Sequence, residues 1–128
     1  MEIKIDDKFM SCFVKENFLF LVWKKDTKSM NDEDFKKEAL KFIGVVKDTN
    51  SKKIVVDMRD FSYSLSSDLI SWRNKHIISV YNEIGVEKFA FISLKPTVNQ
   101  DNPNNTFVTK TFTDEKEAVD WLGLQGHF

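Results

Sequence analysis

The segment Ile54-Val-Val-Asp-Met58 is short, β-branched and apolar at successive positions, as expected of a central strand covered on both faces. A chain that contains such a strand must place structure on two sides of a sheet, and the flanking segments supply it. Lys8–Lys15 alternates Phe9, Ser11 and Phe13 against Met10, Cys12 and Val14, the pattern of a strand. Glu16-Asn17 turns the chain, and Phe18–Trp23 reads as the antiparallel return. Asn31 is a helix N-cap followed by Asp32, Glu33 and Asp34, which suit the positive end of a helix dipole. Phe35, Ala39, Phe42, Ile43 and Val46 then recur at helical spacing to about Lys47.

After the central strand, Ser66 or Ser67 caps a second helix that Gly85 ends. Lys88–Leu94 is another apolar strand, Thr106–Phe112 alternates again, and Thr113 caps a last helix stopped by Gly123. Between these strands, Lys95–Asn105 is polar and holds both prolines; it reads as a long internal loop. The order ββαβαβ(loop)βα predicts one α/β domain over residues 1–128, with its core at about 9–122. Its mixed sheet of five strands has a parallel centre and an N-terminal hairpin, and helices near 31–48, 66–84 and 113–122 pack on it.

Composition excludes several functions. Nineteen basic against twenty acidic residues give a formal net charge of −1, which argues against a general nucleic-acid binder. Four glycines leave no dinucleotide fingerprint or phosphate loop. Two histidines 51 positions apart and the lone Cys12 form no metal-ligand spacing, so no metal and no cofactor are expected. No apolar run approaches the ~20 residues of a membrane span or a signal-peptide core, and one cysteine implies no oxidising compartment. The expected location is cytoplasmic.

Three stretches resemble the STAS superfamily, most of all the SpoIIAA-like branch of small stand-alone bacterial proteins. They are Phe18-Leu-Phe-Leu-Val-Trp-Lys24 before a capped helix, Ile54–Leu69, and Phe107–Leu122 ending in Ala-x-x-Trp-Leu. Antagonist members carry Asp-Ser-Ser-Gly at the second helix start, where a kinase phosphorylates the first serine to release a partner. Here the matching residues are Leu65-Ser66-Ser67-Asp68: the serines are present, whereas Leu65 replaces the Asp and Asp68 the Gly. The loop Lys95–Asn105 replaces a helix that antagonists have. The SpoIIAA-like branch does not imply the kinase switch, and its fold is related to the CRAL-TRIO lipid-binding fold.

Candidate site residues follow from position. Asp57, Arg59 and Asp60 stand just past the C-terminal end of the central strand, where ligands gather in open α/β sheets. The plainer reading is that Arg59 pairs with a neighbouring acid and Asp60 caps a turn. Ser66 and Ser67 are helix caps or regulatory sites. Trp72, Arg73, Lys75 and His76 mix aromatic and basic groups on one helix, and His76 reads as a partly buried, satisfied side chain. Twelve Phe and three Trp form a Phe-rich core or line an apolar pocket, with Trp23 and Trp121 semi-exposed at element ends. The expected function is a non-enzymatic regulatory module that binds a protein partner through Phe61–Arg73, using Arg59, Tyr63, Ser66, Ser67, Trp72 and Arg73. The alternative is a carrier or sensor for a small apolar ligand or lipid. The third is an enzyme using Asp57, Arg59 and Asp60.

Overall fold

A computed structural model describes residues 2–95 and 102–123. Residues 96–101 of the predicted loop, and His127, lie outside the described residues. The order is β1 (Glu2–Asp6), β2 (Met10–Lys15), β3 (Phe18–Trp23), a 3-10 turn (Lys25–Ser29), α1 (Asp32–Thr49) and β4 (Lys53–Asp57). One continuous helical stretch follows, made of α2 (Ser67–Arg73), a π-helical turn (Asn74–Ile78) and α3 (Ser79–Ile84). β5 (Lys88–Ile92), β6 (Val108–Phe112) and α4 (Glu115–Trp121) complete the chain.

The strands lie side by side in chain order, β1 to β6. β1, β2 and β3 are antiparallel, and β3, β4, β5 and β6 run parallel. The sheet thus has six strands where five are expected. The added one, β1, lies on the edge and pairs Ile3 with Phe13. Four of its five residues are exposed, Ile3 at 57 % among them. Ile3 and Ile5 alternate with charged residues, Ile5 is partly buried against the core, and pairing with β2 makes the segment a strand.

Local signals at the helix ends hold at α1 and α3 and shift by one residue at α4. Asn31 Oδ1 accepts from Asp34 N at 2.8 Å while Asn31 N donates to Asp34 Oδ2 at 3.1 Å, a reciprocal capping box. Gly85 closes α3 in the left-handed region at φ 82°, where a side chain costs strain. At α4 the cap is Asp114, whose Oδ1 accepts from Glu117 N at 2.8 Å, and not Thr113.

Strand alternation sorts the core into two layers. Leu19, Leu21, Trp23, Ile54, Val56, Phe89 and Phe91 face α1 and the α2–α3 stretch. Phe18, Phe20, Val55, Ala90 and Ile92 face α4 through Ala118 and Leu122. Both crossover helices share one face, as successive right-handed crossovers moving in one direction require. Cys12 is buried on that face, and burial pushes its thiol up to about 12, so it stays protonated and unreactive.

The β1–β2 turn is tied to α1 by charge. Asp7 Oδ1 accepts from the backbone N–H groups of Phe9 and Met10 at 3.0 and 3.1 Å. Lys41 Nζ lies 2.7 Å from Asp7 Oδ2 and 3.1 Å from Glu38 Oε2. Glu38 is 2 % exposed. Burial and the neighbouring Asp7 carboxylate push its carboxyl up to about 7. Asp7, although burial opposes it, is held at about 2 by hydrogen bonds from Glu38, Lys41 and the turn amides. The signs are opposite. The folded chain holds the Glu38 proton more tightly than the unfolded one, so that stabilisation is full below about 4.5 and is lost as pH rises through about 7. The Asp7 contribution is full above 3.8 and is lost as pH falls through about 2. Thermal midpoints are expected to decline across the upper window, and Glu38→Gln is expected to flatten that decline. An unchanged slope in Glu38→Gln refutes the assignment.

Candidate functional site

The helix-covered face does not close completely. A cavity of about 440 Å³ lies over the C-terminal ends of β3, β4 and β5. Its floor is Leu21 and Trp23 of β3, Val56 and the following Met58, and Phe89 and Phe91 of β5. These side chains share one face because the register sets Leu21 beside Val56 and Val56 beside Phe91. Phe35, Ala39 and Phe42 of α1 form one wall, three and four residues apart. Arg73, Ile77 and Tyr81 form the other, four residues apart across the π-helical turn. Residues at that spacing share one face of a helix, and the π-helical turn lies between the first and last of them.

The segment after β4 roofs the cavity with Phe61, Tyr63 and Leu65, all half-buried. Two side-chain anchors hold it. Thr27, fully buried in the 3-10 turn, accepts from Ser62 N at 3.0 Å through Oγ1. Its single hydroxyl proton points to Lys24 O at 2.9 Å, with Asp60 O at 3.3 Å. The Tyr63 hydroxyl donates to Asp32 Oδ1 at the start of α1, and that carboxylate raises the phenol's pKa. Exposed lining residues Ser62, Ser64 and Lys95 mark the solvent side.

The two ends of the cavity differ. At one, Trp23 stacks on Phe35 with centroids 6.0 Å apart, and Phe61 lies 5.0 Å from Trp23 and 6.4 Å from Phe35. At the other, Tyr81 packs on Phe89 and Phe107 at 5.2 and 5.8 Å. Arg73 belongs to this second end. It is 8 % exposed, and its Nη2 donates to Asn74 Oδ1 at 3.1 Å. Burial pushes the Arg73 guanidinium below its ordinary value and the Tyr81 phenol above its own, and the two groups act on each other through space.

The residues singled out in the sequence are not brought together. Asp57 points to the α4 face with Val55, away from the cavity. Arg59 grips it bidentately, Nε to Oδ1 at 3.0 Å and Nη2 to Oδ2 at 2.7 Å, and Arg59 N donates to the same Oδ1. The plainer reading of this pair therefore holds, and Asp60 is exposed beside it, contributing its carbonyl to the roof anchor. Ser66 Oγ accepts from Leu69 N at 3.1 Å as the α2 N-cap, and Ser67 is exposed. The aromatic and basic helix face divides: Arg73 turns inward, while Lys75 and His76 are exposed. His76 is therefore not the partly buried side chain expected; its ring lies 5.4 Å from half-buried Trp72, over which Lys36 also sits. Trp23 is 6 % exposed rather than semi-exposed, because the roof and α1 cover it; Trp121 is half-buried.

Phe61 opens the segment expected to bind a partner, and Trp23 is one of the two aromatics expected at element ends; Phe35 and Tyr81 join them on the cavity wall, and the spacing of 35, 39 and 42 and of 73, 77 and 81 is the signal for those two. Thr27, which anchors the roof from a 3-10 turn, has no such signal. Among the described residues, no group of three His, Cys, Asp or Glu is placed to hold a metal ion, and no helix is long and apolar enough to cross a membrane. Comparison with protein-family models, curated proteins and solved structures finds no significant match for the chain.

Two substitutions test the roof and the cap. Thr27→Val keeps the shape but leaves Ser62 N without its acceptor, and is expected to cost about 1–3 kcal/mol in chemical denaturation. Ser66→Ala is expected to cost about 1 kcal/mol, whereas Ser67→Ala stays within about 0.5 kcal/mol of the parent. Equal effects at the two serines would contradict the cap assignment.

Proposed function

We propose that this chain binds a small apolar ligand in the cavity over the ends of β3, β4 and β5, as a carrier or sensor. The observation that carries the reading is the cavity itself. About 440 Å³ falls within the roughly 300–1,000 Å³ of ligand sites, and well-packed interiors leave few voids larger than a water molecule. Its aromatic lining offers dispersion and stacking surfaces. Its position at the C-terminal ends of parallel strands is where α/β sheets take ligands.

The partner-binding reading draws on the same segment, Phe61–Arg73. There Phe61, Tyr63, Leu65 and Arg73 line the cavity, which supports the ligand reading ahead of the partner one. Asp57 and Arg59 engage each other across the sheet from the cavity, so the polar pair at the strand end contributes nothing to the pocket. The hairpin leading into parallel strands, with a serine-capped helix after the central one, supports a SpoIIAA-like reading of the fold.

The test is titration with N-phenyl-1-naphthylamine, a neutral fluorescent apolar probe. Saturable binding at one site per chain is expected, with blue-shifted emission. Ala39→Phe places a ring in the cavity from the α1 wall and is expected to weaken probe binding about tenfold or more, with the thermal midpoint retained. No probe binding to the native protein would remove the proposal.

A further inference from the structure

Two phenols line the cavity, and they differ. Tyr63, in the roof, donates to Asp32 Oδ1. Tyr81, on the wall made by the second helical stretch, is 4 % exposed, and its hydroxyl forms no hydrogen bond to any described residue. Its ring has a set place, 5.2 Å from Phe89 and edge-on to Phe107 at 5.8 Å. Buried tyrosine hydroxyls usually have a hydrogen-bond partner, because an unpaired one gives up its hydration without return. Neighbouring side chains on the wall are engaged. Ser93 Oγ donates to Lys95 O at 2.7 Å and accepts from Lys95 N at 3.1 Å. Arg73 has contacts of its own, Asn74 Oδ1 among them. Tyr81 is therefore a buried donor, facing a cavity, that no described residue satisfies.

We propose that the ligand is a neutral carbonyl compound whose oxygen accepts from the Tyr81 hydroxyl while its apolar body lies towards Trp23, Phe35 and Phe61. This rests on the ligand-binding reading above and adds the chemical class. Burial keeps the Tyr81 phenol protonated, so it has a proton to donate at neutral pH. One neutral donor matches one carbonyl oxygen, whereas it does not offset the cost of burying a carboxylate. A hydrocarbon of the same shape fills the cavity but leaves the hydroxyl unpaired. The end built from Trp23, Phe35 and Phe61 offers apolar contact to the rest of the molecule.

The experiment is displacement of N-phenyl-1-naphthylamine by decan-2-one and by 2-methyldec-1-ene, which carries a methylene group in place of the carbonyl oxygen. Both are titrated into the native protein and into Tyr81→Phe, which removes the hydroxyl and keeps the ring. Tyr81→Phe is expected to weaken decan-2-one about tenfold and to leave the alkene unchanged or tighter. Failure of decan-2-one to displace the bound probe, an undiminished affinity for it in Tyr81→Phe, or an equal loss for both ligands overturns the inference and leaves the apolar-ligand reading standing. Failure of the probe itself to bind the native protein overturns both. A second measurement needs no variant. The infrared carbonyl stretch of decan-2-one bound to the native protein, isotope-labelled at the carbonyl carbon, is expected below its frequency in hexane, and a stretch at the hexane frequency overturns the inference.

Discussion

Three neighbouring strands that are apolar on both sides govern this molecule. β3, β4 and β5 carry Phe18–Trp23, Ile54–Val56 and Phe89–Ile92 with hardly a polar side chain among them, so neither face of the sheet centre can meet water. Chirality then leaves little choice. Two successive right-handed crossovers put α1 and the α2–α3 stretch on one face, and the chain leaving β6 must cover the other with α4. The antiparallel β1–β2 ribbon extends the sheet beyond β3, where no crossover helix is needed.

The cavity is a consequence of that arrangement. Large aromatic side chains line it between the sheet and the helices, Trp23, Phe35, Phe89 and Phe91 among them. The segment after β4 partly roofs the space, tied down at two consecutive residues, Ser62 and Tyr63. Thr27 holds Ser62, and Asp32 holds Tyr63. The fold thus combines a dense centre, where Val46, Ile54 and Val86 are fully buried, with an open region lined largely by aromatic side chains. The Asp7, Glu38 and Lys41 cluster lies elsewhere, between the β1–β2 turn and α1, and bears on stability rather than on the pocket.

Much of the fold was legible along the chain because its signals are local. The caps at Asn31 and Ser66, the stop at Gly85 and the helical spacing from Phe35 to Val46 each depend on residues a few positions apart. The hairpin at Glu16-Asn17 was equally plain. β1 was less plain, since Ile3 and Ile5 alternate with charged residues over only five positions and pairing with β2 completes the strand. The α4 cap moved from Thr113 to Asp114 because both residue types can serve, and neighbouring backbone geometry chooses between them.

The site was less legible for a related reason. Phe-rich strands announce apolar surface, and an apolar pocket was one reading of them, but a pocket is a failure of packing between distant elements and leaves no local trace. Along the chain, Asp57, Arg59 and Arg73 are comparable polar residues. Strand alternation turns Asp57 to the α4 face, where it meets Arg59. Helical spacing sets Arg73 with Ile77 and Tyr81 on one face, and the packing of that helix on the sheet makes the face a cavity wall. Element type, capping and the need to cover two sheet faces were thus written in short-range pattern. Which polar groups meet a cavity and which meet each other depended on register, crossover hand and helical phase, because these place side chains that lie far apart along the chain.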